Sequence, residues 1–116
     1  MWYLSIRRDV RPRAEWTVTL EEHLRWVRER HDSGQFVISG PTTDRTLSLA
    51  LYRADSLPKA QAIADSDPMV IAHCASAEVI EWEVHQILGA GAFTASTEQA
   101  IQEDRAAFEA SVREGE

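Results

Sequence analysis

The stretch Gln35-Phe36-Val37-Ile38-Ser39-Gly40-Pro41-Thr42-Thr43-Asp44-Arg45-Thr46-Leu47-Ser48-Leu49-Ala50-Leu51-Tyr52-Arg53 decides the fold. Gln35 to Ser39 is a short β-rich run, Gly40-Pro41 breaks it, and Thr42 to Arg45 supplies a turn. From Thr46 to Arg53 the residues alternate. Leu47, Leu49 and Leu51 face one way; Thr46, Ser48, Ala50 and Tyr52 face the other. Two extended runs joined by a short polar turn predict an antiparallel hairpin.

Upstream of the hairpin, Trp2 to Arg7 also alternates, with Trp2, Leu4 and Ile6 on one face, and reads as a strand. Arg8 to Glu15 is charged, contains Pro12 and reads as a loop. Thr19 followed by Glu22 is a capping-box signature. Leu20, Leu24, Val27 and His31 recur at helical spacing, and Ser33-Gly34 supplies the stop, so a helix is predicted over Leu20–Asp32. Downstream, Ser56 caps a second helix through Ala64, with Pro58 tolerated in its first turn. Asp67-Pro68 suits the start of a further short helical turn, with Asp67 as its N-cap. Val79 to His85 is predicted as the last strand, Ile80, Trp82 and Val84 on one face and Glu81 and Glu83 on the other. Gly89 to Ala95 reads as a loop. Ser96 with Gln99 is a second capping box, ahead of a stripe of Ala100, Ile101, Ala107, Phe108 and Val112 that predicts an amphipathic helix.

The order is β-α-β-β-α-β plus a terminal helix. It specifies an α+β, ferredoxin-like domain with a four-stranded antiparallel sheet over residues 1–88, and a loop and helix over 89–116. Two helices cover one face of such a sheet. The alternation assigns Tyr3, Val37, Ala50, Tyr52 and Val79 to the open face. An apolar patch of that kind marks an interface, so a homodimer packed sheet on sheet is expected.

Composition narrows the function. The 116 residues carry a net charge of −7, and Lys59 is the single lysine. The arginine groups, Arg7, Arg8, Arg11 and Arg13 and then Arg25, Arg28 and Arg30, are interleaved with acids, which argues against binding a phosphate backbone. One cysteine, Cys74, allows no disulfide within the chain and no cysteine-based zinc site. No apolar run reaches the ~20 residues of a membrane span, and the N-terminus has no signal-peptide pattern. A cytoplasmic protein with no nucleic-acid or membrane partner is expected.

Taken in order and spacing, Glu22-His23-Leu24, Ser39-Gly40-Pro41, the helix Ser56 to Ala64, Asp67-Pro68 and Glu78-Val79-Ile80-Glu81-Trp82 resemble the YCII-related family, over about residues 1–88. The resemblance implies a ferredoxin-like domain that dimerises into an α/β barrel. It also implies an active-site His-Asp pair, which on this chain matches His23 and Asp67. The superfamily so implied includes muconolactone-isomerase-like and dehydrochlorinase-like enzymes and dimeric monooxygenases. The chain departs from the pattern at Thr46-Leu47-Ser48 and at Ala72-His73-Cys74, where the family often has a glycine. The tail from Gly89 lies outside the resemblance.

The residues themselves carry an acid/base reading. His23 lies at the edge of the apolar stripe, so it points toward the sheet, where a neutral imidazole can take a proton from a substrate. A carboxylate beside it would fix its tautomer. Asp67 is the candidate partner, although a carboxylate before proline is equally a helix cap. Ser39, Gly40 and Pro41 end a strand and are candidate substrate-binding groups, with Tyr52. His31 is read as a helix C-terminal group and Cys74 as a buried, inert thiol. His23, His73 and His85 show no metal-ligand spacing, and no glycine-rich phosphate loop is present. No metal and no organic cofactor are expected. Two function classes remain open: a small dimeric isomerase or elimination enzyme acting on a small organic acid or ring, or a non-catalytic small-ligand-binding module with the same cleft.

Overall fold

The computed structural model describes residues 1–85 and 95–114. The elements follow in the order strand β1 (Trp2–Asp9), helix α1 (Leu20–Asp32), strands β2 (Phe36–Pro41) and β3 (Leu47–Arg53), helix α2 (Leu57–Asp65), the single turn α3 (Pro68–Ile71), strand β4 (Ala75–Trp82) and helix α4 (Ala95–Glu114). The chain divides into two compact units, Met1–Glu83 and Val84–Glu116. In the first, the strands form a four-stranded sheet in the order β2-β3-β1-β4, with every neighbouring pair antiparallel. This is the ferredoxin-like α+β arrangement that the element order specifies.

Local chemistry sets the helix ends. The Thr19 hydroxyl accepts the Glu22 N–H at 3.1 Å and starts α1. At its other end Gly34 takes φ +78°. The N–H groups of Gly34 and Gln35 then donate to the carbonyls of His31 and Arg30 at 3.0 and 2.9 Å. That pair of bonds is the Schellman stop, which needs a left-handed residue at the glycine. Ser56 caps α2 by accepting the Lys59 N–H at 3.3 Å.

Strand β4 differs from its expected span. It begins at Ala75 rather than Val79 and ends at Trp82, leaving Val84 and His85 outside it. Ala75, Ser76 and Ala77 have little strand propensity of their own. Their pairing with Asp9, Arg8 and Arg7 of β1 makes them a strand, so tertiary contact overrides local preference. In the second unit α4 starts at Ala95, so Ser96, expected as its N-cap, lies inside the helix. The loop expected from Gly89 falls, up to residue 94, outside the described residues.

The largest correction concerns the faces of the sheet. Tyr3, Ala50 and Tyr52 were expected on the open face; they are buried beneath the helices with Phe36 and Ala60. Val79 packs against the same cluster, while Val37 sits at the irregularity between Phe36 and Ile38 and is exposed. The register puts Leu4 opposite Leu51 and Ile80, and Ile6 opposite Leu49, on the other face. Period-2 alternation tells which residues share a face, but not which face meets the helices. The helices decide it. Helix α2 turns the small residues Ala60 and Ala64 inward, which leaves room for aromatic rings on the sheet below. It also offers the Ala60 carbonyl, which accepts the Tyr52 hydroxyl at 2.7 Å. Phe36 stacks on Tyr52 at 5.2 Å and meets Trp26 edge-on at 5.4 Å. Fully burying a side chain of this size is worth about 1.5–3 kcal/mol, so this aromatic layer anchors α1 and α2 to the sheet. It also sets the height at which the helices ride above the strand residues Ser5, Arg7 and Ser48.

Candidate active site

Helix α1 buries none of its residues fully. Its inward side is made of His23, Leu24, Trp26, Val27 and Arg30, each half-buried. Leu20 and His31, counted in the stripe from spacing, are exposed, and Trp26 takes the inward place instead. That rotation carries His23 further over the sheet than spacing alone indicates. The Trp26 indole N–H donates to Ser66 Oγ at 3.3 Å. This contact fastens the middle of α1 to the junction between α2 and α3, next to Asp67.

Asp67 is buried, with 4% of its surface exposed. Its Oδ1 accepts the Met69 N–H at 2.9 Å, which starts the four-residue helix α3. The same oxygen lies 3.1 Å from His23 Nδ1. Cap and imidazole partner are therefore one atom. The two residues that the sequence singles out stand in direct contact.

A third group joins them that the sequence reading missed. Arg7 of β1 reaches up from the sheet, its side chain 15% exposed, with Nη1 3.5 Å from Asp67 Oδ2. The same Nη1 is 3.3 Å from Nδ1 and 3.1 Å from Nε2 of His23. Nη2 donates to Ser48 Oγ at 2.9 Å. The carboxylate sets the tautomer. An ionised carboxylate only accepts, so Nδ1 carries the proton and donates to Asp67. Nε2 is then the ring nitrogen without the proton, and Arg7 Nη1, 3.3 Å from Nδ1 and 3.1 Å from Nε2, lies over the ring rather than along the Nε2 lone pair. The available signal for Arg7 was its alternation with Tyr3 and Ser5. With the faces inverted, that signal pointed to the open face, away from His23.

These groups line a cavity of about 260 Å³. His23, Asp67, Arg7 and Ser48 form its polar part, and Leu24, Trp26, Val27 and Phe36 its apolar walls. Ser39, Gly40 and Pro41, at the end of β2, also line it. Ser39 Oγ is 2.6 Å from His31 Nε2, so its hydroxyl has a partner on α1. Tyr52 is not part of the lining. It is sealed under α2, and desolvation, with Asp65 adding, pushes its phenol up to about 12. A hydroxyl so placed is spent on the Ala60 carbonyl. Cys74 is buried with Met69 and Ala75. Among the described residues no three His, Cys, Asp or Glu side chains gather where they would hold a metal ion.

An adjoining recess of about 320 Å³ shares Arg7, His23 and Ser48 with the cavity and adds Asp9, Arg13 and Arg45. The turn that carries Arg45 is held by Asp44, whose carboxylate accepts from Thr42 Oγ1 at 2.7 Å and from Thr46 N at 3.0 Å. Those bonds hold the Asp44 carboxyl down at about 2.

A sequence model of the YCII-related domain matches residues 1–83. Comparison with curated proteins finds no match. Among solved structures, the chain is similar in fold to 5-chloro-2-hydroxyhydroquinone dehydrochlorinase from Burkholderia phenoliruptrix AC1100, in complex with 2,5-dihydroxybenzoquinone. The identity is 23%, the match covers 72% of this chain and 94% of that one, and the TM-score is 0.55.

Proposed function

The chain belongs to the YCII-related domain family, and on that premise we propose that it is a small-molecule enzyme working by general acid/base catalysis, with His23 as base and Asp67 as its orienting partner. The observation that carries this reading is the 3.1 Å contact between His23 Nδ1 and Asp67 Oδ1 in the wall of a cavity with apolar sides. Asp67 holds Nδ1–H and stabilises the imidazolium, so proton transfer falls to Nε2. Abstraction of a C–H proton by Nε2 leaves the electron pair on carbon. In an isomerisation that pair is reprotonated at another carbon. In an elimination it becomes the new π bond, and the leaving group departs as an anion with its own bonding pair. The dehydrochlorinase that shares the fold carries out a reaction of this second type in name. Ser39, Gly40 and Pro41 would border the substrate.

The partner of the protein in this reading is a second copy of itself. The sheet face opposite α1 and α2 carries Leu4, Ile6, Leu49, Leu51 and Ile80 in register, and Ile38, Ile80 and Trp82 are exposed. This is a more apolar face than the one the sequence reading assigned to the interface, and it favours a homodimer packed sheet on sheet.

Catalysis is tested by screening small ring acids and hydroquinones for turnover or for solvent-deuterium uptake, then repeating with His23→Gln. A positioned general base contributes about 10²–10⁴-fold, and a loss of that size is expected. Turnover that survives the substitution would sink the acid/base reading. One contact favours the other reading, a non-catalytic ligand-binding module: the Arg7 guanidinium lies over the His23 ring, 3.1 Å from Nε2, and sets a positive charge against the ring that a base must charge. Ligands that bind without any turnover would decide for the module.

A further inference from the structure

We infer that Arg7 and Ser48 form the anion-reading end of this cavity and that its ligand is a small organic carboxylate on an apolar ring; this rests on the cavity being the functional site, as proposed above. The argument begins with charge. In a chain of net charge −7, a guanidinium 15% exposed has as its counter-ion an Asp67 oxygen no nearer than 3.5 Å. The other Asp67 oxygen is committed to Met69 N–H and His23. The shorter contacts of Arg7 go to groups that carry no negative charge, Ser48 Oγ at 2.9 Å and the two nitrogens of the His23 ring at 3.1 and 3.3 Å. Its Nε is buried and has no hydrogen-bond partner among the described residues. Guanidinium offers five N–H donors in a fixed fork whose best acceptor is a carboxylate. Here that fork is under-used.

Position agrees with charge. Arg7 and Ser48 are directly opposed on β1 and β3, so they lie side by side on the cavity floor. The walls above them, Leu24, Trp26, Val27 and Phe36, suit a flat apolar body rather than a bare inorganic anion. The adjoining recess adds Arg13 and Arg45 against the single acid Asp9, so the approach to Arg7 is positive. A carboxylate that occupies the fork neutralises the guanidinium that lies over the His23 ring. The contact that favours a binding module is thereby offset by an anionic ligand.

The test uses benzoate and its neutral isostere benzamide, titrated into the full chain at fixed ionic strength and followed by amide NMR shifts. Benzoate is expected to bind at least about tenfold tighter than benzamide, as a charge-assisted hydrogen-bond pair gives. Arg7→Gln is expected to erase the preference, bringing benzoate down to the affinity of benzamide. Should Arg7→Gln fail to fold, Arg7→Lys decides: it keeps the charge without the fork, and the preference is expected to fall but not vanish. Equal binding of the two probes, no benzoate binding up to millimolar concentration, a preference intact in Arg7→Gln, or one undiminished in Arg7→Lys overturns the inference. Failure of the acid/base reading shows separately, as turnover that survives His23→Gln, and leaves the benzoate result as it stands.

Discussion

Replacing Asp67 by Asn should destabilise the fold by about 3 kcal/mol, and the structure says where the loss comes from. Asparagine caps a helix as well as aspartate does, so the bond to Met69 N–H at 2.9 Å survives. The His23 bond at 3.1 Å changes from charge-assisted to neutral, a loss of about 1 kcal/mol. Arg7 loses its counter-ion while only 15% exposed. Breaking a fully buried pair costs about 3–5 kcal/mol; the 3.5 Å separation and residual exposure reduce this to about 2 kcal/mol. The sum, about 3 kcal/mol, corresponds to a fall in Tm of roughly 12–24 °C for a domain of this size. The attribution is checked by a double-mutant cycle with Arg7→Gln, which removes the stranded charge. The double variant should be more stable than the sum of the singles by about 2 kcal/mol, within the range found for contacting pairs. Urea denaturation of all four proteins at pH 7, at one protomer concentration, measures it. A cost for Asp67→Asn below about 1 kcal/mol, or a cycle additive within about 0.5 kcal/mol, would refute the claim that the Arg7–Asp67 contact is desolvated.

Two further outcomes are expected. Tyr52 is held neutral by burial, its phenol raised to about 12 from an ordinary value of 10.0. The unfolded chain then loses its proton first as pH rises, so stability falls between pH 10 and about 12. Tyr52→Phe should flatten that alkaline limb, as followed by Tm against pH; a limb equally steep in the variant would assign it to other groups. On the open face of the sheet, Ile38 and Ile80 are 65% and 42% exposed. Ile38→Lys with Ile80→Lys should therefore cost the folded chain little yet separate a dimer into monomers by light scattering. A wild-type monomer at micromolar concentration removes the sheet-to-sheet homodimer altogether.

What the sequence reveals here, and what it hides, follows from the range of each signal. Thr19 and Gly34 mark α1 to the residue because capping is chemistry within a few residues of the helix end. Ser56 does the same for α2. The start of β4 is hidden because Ala75, Ser76 and Ala77 are strand only by virtue of β1, more than sixty residues away. The faces of the sheet are hidden for a subtler reason. Both faces alternate with apolar residues, and the choice between them rests on the volume left by Ala60 and Ala64 across the interface. That one inversion put Tyr52 and, by alternation with Tyr3 and Ser5, Arg7 on the open face, when both lie beneath the helices, Tyr52 sealed under α2 and Arg7 against His23 and Asp67. His23 and Asp67 escape it because their reading depends on helix position and on the resemblance, not on the sheet's face.

The site also explains why α3 exists. Four residues cannot hold a helical turn by their own hydrogen bonds, since nucleation costs more than one bond returns. Asp67 supplies the missing stabilisation through Oδ1, but a carboxylate 4% exposed needs neutralising in turn. His23 from α1 and Arg7 from β1 meet that need, at 3.1 and 3.5 Å. The turn is therefore held by the same contacts that orient the imidazole. Fold and site are coupled at one carboxylate, and a change that loosens α3 must also release His23. This is why His23 and Asp67 are poorly described as either structural or functional. The cap requires a buried anion, the anion requires cationic or donor neighbours, and those neighbours, set in the wall of a cavity, are the groups available to a ligand.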